Sequence, residues 1–241
     1  MLGSIDCMHW EWKNCPVAWK GQYCRGDHGK PTIILEAVAS HDLWIWHAFF
    51  GIAGSNNDIN VLNQSHVFAD VLNGVAPRVQ YVLNGNSYDM GYYLADGIYL
   101  TWATFFKTIS MPQGPKIQLF AKIQRARKDV ERAFGVLQSR FAIIRGPSRN
   151  WHVDTMSNIM HACIIMHNMI VEDERNGYSG NHDYEQVDNT STAQVFDGPP
   201  PNLTTMFERV EHVRDTQIHH QLQYDLIQHI WQRFGDENLG N

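Results

Sequence analysis

Apolar residues at helical spacing between residues 119 and 141 constrain the fold of this chain more than any other feature. Apolar residues that recur every three or four positions mark one face of a helix. They are Leu119, Phe120, Ile123, Val130, Phe134, Leu137 and Phe141. The pattern predicts one long helix that buries this face against a core.

Glu131 lies at the edge of that apolar face, in a basic neighbourhood formed by Arg127, Lys128 and Arg132. A carboxylate in this place has two interpretations. It forms ion pairs with basic residues one helical turn away, or it points into a site that holds a cation. Local spacing favours the ion pairs, so the choice depends on the other acids of the chain.

Length and composition indicate a globular, intracellular protein. The 241 residues, 44% of them hydrophobic, are enough for a core that stands alone. There is no run of about 18 apolar residues, which a membrane-spanning helix needs, and no signal peptide is expected at the start. Four cysteines, three of them before residue 25, fit a reducing compartment better than a disulfide framework.

The charge is unevenly distributed around the formal net value of −6. Between residues 116 and 149 there are nine Lys or Arg against two Asp or Glu, whereas from residue 172 to the end there are thirteen acids against four arginines. The basic stretch either binds a polyanion or is a solvated helix face. The candidate nucleic-acid-binding residues in it are Lys122, Arg125, Arg127, Lys128 and Arg132.

The first fifty residues contain the β-rich runs typical of strands. Residues 2–8 are predicted to form a short buried strand with Asp6 near its end, and residues 32–41 and 43–52 an antiparallel hairpin. A lone carboxylate in an apolar strand must be paired or coordinate something, because an isolated buried charge is too costly.

A helix is predicted after the hairpin, with Asn57 or Asp58 as its N-cap, running to about residue 73. Asp58 is therefore either a helix cap or a metal contact, and the cap is the favoured interpretation.

Later in the chain, the apolar run 92–95 predicts a second strand that ends on an acid, Asp96. Residues 152–174 predict a further amphipathic helix. Its His161 and His167 are six residues apart, a poor spacing for two metal ligands on one helix, so packing in the core or an interface is favoured.

The three acids Asp6, Asp96 and Glu131 form the candidate catalytic site. Two parallel strands ending side by side, with a helix packed across them, would bring these carboxylates together. Three carboxylates repel one another unless cations neutralise them, and hard oxygen ligands suit Mg²⁺ or Mn²⁺. Two such ions activate a water or a 3′-hydroxyl and stabilise the leaving oxygen of a phosphodiester.

Many short segments of the chain resemble the plant Harbinger-type transposase family, which includes domesticated, transposase-derived nucleases. The resemblance covers about residues 1–175. It rests on GSIDCMHW, WKNCPVAW, GKPTIILEAVAS, LWIWHAFFG, NDINVL, GYYLADGIY, RKDVERAFGVLQSRFAIIRGP and IMHNMIVEDE, in that order.

The resemblance implies an α/β, RNase H-like domain with a mixed sheet flanked by helices, and a DDE triad at Asp6, Asp96 and Glu131. Asp58 matches a further acid of the family pattern and is expected either to be an auxiliary metal ligand or to lie just behind the metal ligands. The resemblance also implies metal-dependent DNA cleavage, a nuclear location and a Myb-like partner protein. Family members carry a DNA-binding region before the first acid, so the resemblance implies a chain truncated at its N-terminus.

We expect three segments: a catalytic domain at 1–175, a flexible linker rich in Gly, Asn, Ser and Pro at 176–202, and a helical tail at 203–241. The tail docks on the core or pairs with a partner, and a homo-oligomer is one such pairing. Two alternatives to the nuclease stay open. The chain is a catalytically inactive nuclear module that binds DNA or protein, or it is a decayed transposon fragment.

Overall fold

The computed structural model describes residues 1–26, 29–73, 78–107, 109, 111–126, 128–178, 192–194 and 203–235. The strands are β1 (Gly3–Glu11), β2 (Thr32–Ala39), β3 (Ile45–Ala53), β4 (Arg78–Leu83), β5 (Asn86–Tyr88), β6 (Tyr93–Ala95), β7 (Phe105–Lys107) and β8 (Thr192–Gln194). The helices are α1 (Lys20–Tyr23), α2 (Asp58–Gln64), α3 (Ala69–Asn73), α4 (Pro115–Ala126), α5 (Asp129–Arg140), α6 (Ala142–Arg145), α7 (Val153–Tyr178), α8 (Leu203–Val213) and α9 (Thr216–Phe234). The mixed α/β class is confirmed. Within these ranges, no helix combines the length and the apolar character that crossing a membrane requires.

The chain divides into two compact units, each assembled from separate stretches of sequence. The first unit comprises Gly3–Ser65 and Asp129–Asp183. The second unit comprises Met1–Leu2, His66–Lys128 and Tyr184–Asn241. Most of the predicted linker, 176–202, lies outside the described residues, and its residues 192–194 form strand β8.

In the first unit, β1, β2 and β3 pair antiparallel, so the predicted hairpin is confirmed. Strand β1 continues to Glu11, and the prediction that it ends near residue 8 was wrong. The alternating residues Met8, Trp10 and Trp12 all face the core, which explains why the backbone stays extended this far.

Helices α5 and α7 cover one face of this three-stranded arrangement. The core between them is built from alternate strand residues and from one side of each helix, including Leu35, Ala37, Val130, Leu137 and Met160. Alternation turns the intervening residues of β2 to the opposite face, where α2 packs. All four cysteines of the chain are free thiols.

The second unit contains a parallel pair, β6 with β7, and an antiparallel set in the order β5, β4, β8. Helices α4 and α9 pack on each other. The apolar core of this unit joins the strands to both helices and includes Leu94, Phe106, Phe120, Leu222 and Leu226.

The prediction of one long helix between residues 119 and 141 was wrong, because α4 and α5 are separate helices and Lys128 belongs to neither. The apolar residues that predicted one face of a single helix pack in two different cores. Phe120 packs in the core of the second unit, whereas Val130 and Leu137 pack in that of the first. One straight helix would present these residues to a single core, so the helix is interrupted where the chain passes between the units.

The helix predicted to run to about residue 73 is also two helices, α2 and α3. Asn57 caps α2, as predicted: its side chain accepts a hydrogen bond of 2.8 Å from the backbone N–H of Asn60. Ser65 ends α2 because its backbone is extended, with ψ of 150°.

Helix α7 confirms the predicted helix at 152–174, and His167 is fully buried in it. The His167 Nε2 donates to the carbonyl oxygen of Leu43 over 2.8 Å, and an Arg140 guanidinium nitrogen lies 3.4 Å from Nδ1. Burial lowers the pKa of His167 from its ordinary value of 6.5, and the nearby Arg140 charge acts in the same direction. His167 packs in the core, as the sequence favoured.

We expect the stability difference between the wild type and His167→Gln to narrow as the pH falls from about 7.5 to about 5.5. Because the pKa is lower in the folded protein, the unfolded chain takes up the proton first. The stabilisation by neutral His167 is therefore complete above pH 6.5 and is lost as the pH falls. Urea unfolding at both pH values measures this. A difference that does not change with pH would contradict the account.

Candidate active site

Asp6 lies in the middle of β1, opposite Ala37 of β2, and is half-buried. Its Oδ1 accepts a hydrogen bond of 2.8 Å from the backbone N–H of Cys7. Strand alternation places Asp6 on the same face as Ser4 and Met8. This is the face that α5 covers.

Two contacts fix α5 along this face of β1. The Ser4 Oγ accepts a hydrogen bond of 2.7 Å from the backbone N–H of Val130, one of the donors that the first turn of a helix leaves unpaired. Eight residues further along α5, the Gln138 side chain donates to the Met8 sulfur over 3.3 Å. Asp6 lies between Ser4 and Met8, so it faces the part of α5 between these two contacts.

Glu131 lies on the side of α5 that carries Gln138, because seven residues make nearly two helical turns. Glu131 is exposed, so this carboxylate is accessible from solvent at the edge of the helix. Gly135 lies between the two on the same side, and no heavy atom lies within 4 Å of the place where a Cβ would be. The surface of α5 at Gly135 is therefore open.

Gly135→Ala is expected to stabilise the protein by about 1 kcal/mol, because a glycine inside a helix costs conformational entropy and this one has room for a methyl group. Gly54→Ala is the matched contrast: its Cβ would lie 2.6 Å from the backbone oxygen of Thr32, so it is expected to destabilise the protein. Urea unfolding of both variants measures the effect. Equal destabilisation of the two would show that the surface of α5 at Gly135 is closed.

Asp96 directly follows β6, as predicted, and belongs to the second unit. Its Oδ1 lies 3.0 Å from the Lys128 Nζ, and its side chain is 47% exposed. A partly exposed pair of this kind contributes little to stability, at most about 1 kcal/mol. The candidate triad is thus divided between the units, with Asp6 and Glu131 in the first and Asp96 beside a lysine in the second.

The five candidate nucleic-acid-binding residues have different surroundings. Lys122 is exposed on α4 and makes no ion pair with any residue in the described ranges. Lys128 pairs with Asp96. The Arg132 side chain pairs with Asp129, three residues earlier, and is 55% exposed. Arg125 lies within α4, and Arg127 lies outside the described residues.

Asp58 occupies the first turn of α2, directly after the capping Asn57. A negative charge there is favourable because the N-terminus of a helix carries a partial positive charge. This placement at the start of the helix agrees with the interpretation that the sequence favoured for Asp58.

Over the described ranges, no group of three or more His, Cys, Asp or Glu side chains is arranged to hold a metal ion. Mg²⁺ usually keeps several waters and is bound by one or two carboxylates together with substrate phosphates. The carboxylate oxygens of Asp6 and Glu131 are donors of the type that Mg²⁺ and Mn²⁺ prefer.

Sequence reasoning missed Glu36, a fully buried carboxylate in β2. Its Oε2 lies 3.3 Å from the His47 Nε2, an ion-pair distance, and neither of its oxygens makes a hydrogen bond to a described residue. Glu36 is opposite Cys7 in the strand register, so it points to the face opposite Asp6. The signal that would have found it is a single acid inside the apolar run TIILEAVA.

Comparison with known proteins bears on this arrangement. No curated protein and no solved structure matches the chain. A family model described as plant transposon protein matches residues 1–178, which contain β1, α5 and all three candidate acids. The match covers well over half of the 241 residues. The chain therefore belongs to this family of plant transposon proteins.

Proposed function

We propose that this chain is a nuclease of Harbinger-type transposase descent. It cleaves DNA phosphodiester bonds with Mg²⁺ or Mn²⁺ at a DDE site formed by Asp6, Asp96 and Glu131, on an RNase H-like fold. The observation that carries the proposal is Asp6 on the face of β1 that α5 covers, between the two contacts that join this face to the helix carrying Glu131. Membership in a family of plant transposon proteins supports it.

The residues have separate tasks in this proposal. Asp6, Asp96 and Glu131 would hold the cations, with Asp58 as an auxiliary acid. Bound divalent cations supply a nucleophile at neutral pH and neutralise charge on the phosphate. Of the basic residues, Lys122, Arg125, Arg127, Lys128 and Arg132 would contact the DNA backbone, where lysine and arginine bind regardless of sequence.

The ion pair between Lys128 and Asp96 adds a requirement to this proposal. An ammonium group 3.0 Å from the Asp96 carboxylate already neutralises part of its charge. A cation at Asp96 and the ammonium group would repel each other, so binding of a cation there would require Lys128 to turn away. The phosphate backbone of DNA offers Lys128 an alternative anion.

The same ion pair favours a second candidate function, a catalytically inactive nuclear module that binds DNA or protein. In a module of this kind Lys128 remains the permanent counter-charge of Asp96, and no metal is needed. A transposon fragment without activity is the limiting case. A nuclear location, a Myb-like partner and a homo-oligomer belong to both proposals.

Cleavage of supercoiled plasmid DNA tests the nuclease directly. The purified full chain is incubated with plasmid and Mg²⁺ or Mn²⁺, and nicked and linear products are separated on a gel. We expect cleavage with either ion and none in the presence of EDTA. A gel shift of the plasmid without cleavage would support the DNA-binding module and contradict the nuclease.

A further inference from the structure

Helix α7 has an exposed apolar face in the first unit. Ile165 is 61% exposed and Met169 is 65% exposed, one helical turn apart. Met166 and Ile170, at the same spacing, are 44% and 38% exposed. Exposed apolar residues scattered singly are ordinary, whereas four in two consecutive turns of one helix mark a contact surface.

This face borders a groove between α7 and the start of β3. The groove has a volume of about 520 Å³ and is lined by Trp44, Ile165, Asn168, Met169, Glu172 and Asp173. Its floor is apolar, and the two acids lie together near the C-terminal end of the helix. We call it the α7 groove.

The walls of the α7 groove are fixed by hydrogen bonds. Asn168 accepts a hydrogen bond from the backbone N–H of Ile45 and donates one to its carbonyl oxygen, each over 2.9 Å. One residue earlier on α7, His167 bonds the backbone oxygen of Leu43 over 2.8 Å. The groove is therefore formed before any partner arrives, which lowers the entropic cost of binding.

The acids of the last turns of α7 divide into two kinds. Glu174 pairs with Arg140 over 2.5 Å, and the next residue, Arg175, pairs with Asp42 and lies over the ring of Trp44. Glu172 and Asp173 line the groove and form no ion pair with any described residue. An apolar groove that ends in two unneutralised carboxylates is complementary to an apolar segment that carries positive charge.

We propose that the α7 groove binds an amphipathic helix of another protein, with apolar side chains on the groove floor and Lys or Arg beside Glu172 and Asp173. Apolar residues at helical spacing are the usual anchors when a helix lies in a groove. The cationic side chains fix its direction along α7, because charges set orientation and specificity at an interface. This interaction does not depend on the proposed nuclease.

Charge argues against two other occupants of the groove. A second copy of this chain that presented its own α7 would offer the acids only His161 and Arg175 as exposed basic residues, because His167 is buried. Arg175 is already engaged by Asp42 and Trp44, and His161 is bonded to the backbone oxygen of Ser157 over 2.8 Å. An anionic membrane surface would be repelled by the two carboxylates.

The test uses a designed peptide and the full chain. A fluorescein-labelled peptide of about 18 residues, long enough for five helical turns, carries leucines at i, i+3, i+4 and i+7 and lysines beside them. Its partner peptide has glutamates in place of the lysines. Fluorescence anisotropy measures their binding, and we expect the lysine peptide to bind at least about tenfold more tightly.

Variants connect the binding to the groove. Met169→Lys is expected to weaken binding of the lysine peptide by about tenfold or more, since a charge replaces an apolar anchor. Met111→Lys is the matched control, because Met111 is 84% exposed and lies in the other unit. Glu172→Gln with Asp173→Asn should weaken binding and remove most of its salt dependence, whereas Glu208→Gln with Glu211→Gln makes the same change of charge on α8 and should not.

Three results would overturn the proposal. The first is equal affinity for both peptides, and the second is unchanged binding by Met169→Lys. The third is either a stable dimer, measured by light scattering, or binding to phosphatidylserine vesicles, if Met169→Lys abolishes it. That result would assign the groove to a second copy or to a membrane. None of these measurements uses DNA or a metal, so their outcome is independent of nuclease activity.

Discussion

Asp6→Asn is expected to lower metal-dependent DNA cleavage by about a thousandfold. The substitution keeps the shape of the side chain and its acceptor oxygen, but removes the charge that a divalent cation needs. A cation contributes several kcal/mol of charge stabilisation to phosphodiester cleavage, and each 1.36 kcal/mol corresponds to a factor of about ten in rate.

The same loss of cleavage is expected when either of the other two acids is replaced, and an exposed acid outside the site is the control. Asp96→Asn and Glu131→Gln should reduce cleavage to a similar degree if the three act as one site, and effects within one site are not additive. Glu208→Gln, an exposed acid on α8, should leave the rate unchanged. Wild-type rates in Asp6→Asn, measured on folded protein, would refute the assigned site.

Asp225→Ala is expected to destabilise the second unit by about 1–3 kcal/mol. Asp225 lies on α9 and is only 2% exposed. Its Oδ2 accepts hydrogen bonds from the Tyr88 hydroxyl at 2.5 Å, the Asn86 amide at 2.8 Å and the Gln221 amide at 3.2 Å. Alanine would leave the buried Tyr88 hydroxyl without an acceptor, whereas the exposed Asn86 and Gln221 amides can bond to water. A buried donor without a partner costs about 1–3 kcal/mol.

The pKa of Asp225 determines how its contribution to the stability of the fold depends on pH. Burial alone would raise the pKa of Asp225, but the donors, with Tyr88 and Asn86 foremost, outweigh it and leave the pKa below the ordinary 3.8. The ionised carboxylate therefore stabilises the fold above about pH 4, and this contribution is lost as the pH falls further. Burial and the neighbouring Asp225 raise the pKa of Tyr88, so its hydroxyl stays a donor at neutral pH.

Urea unfolding of Asp225→Ala, Asp225→Asn and Glu211→Gln measures the effect. Asparagine keeps one acceptor and should cost less than alanine, and the exposed Glu211 should change stability by less than about 0.5 kcal/mol. Proteolysis should cut α9 faster in Asp225→Ala than in the wild type. Similar midpoints for all three variants would show that the contacts of Asp225 do not stabilise the docking of α9.

Local pattern was sufficient to predict the elements that serve a single core. The hairpin of β2 and β3 was predictable because about half of the residues in its two adjacent runs are β-branched or aromatic. Helix α7 was predictable because its buried residues repeat with the period of a helix. In both cases the residues that form the repeating apolar pattern in the sequence are the residues that pack against the core.

Local pattern failed where neighbouring residues serve different partners. The break between α4 and α5 has no proline or glycine to mark it, and Phe120 and Val130 contact different cores. The end of β1 could have been placed better, since Met8, Trp10 and Trp12 alternate as a strand requires. The cluster around Asp225 joins residues that are more than 130 positions apart, and no local signal announces it.

The candidate site was predictable only in part. Their positions in the chain and the resemblance together selected the three acids, and the structure adds that β1 and α5 are held together by Ser4 and Gln138 on either side of Asp6. Neither contact follows from sequence spacing, because each joins residues more than 120 positions apart. The lysine beside Asp96 was expected to bind DNA, and its ion pair with that acid was not foreseen.

The most direct test of the central claim is a Mn²⁺ titration followed by thermal unfolding. A ligand that binds only the folded protein raises its midpoint by mass action. We expect Mn²⁺ to raise the midpoint of the wild type and of Glu208→Gln, and to leave those of Asp6→Asn and Glu131→Gln unchanged. A wild type that unfolds cooperatively at the same temperature with and without Mn²⁺ would contradict a metal site at these carboxylates.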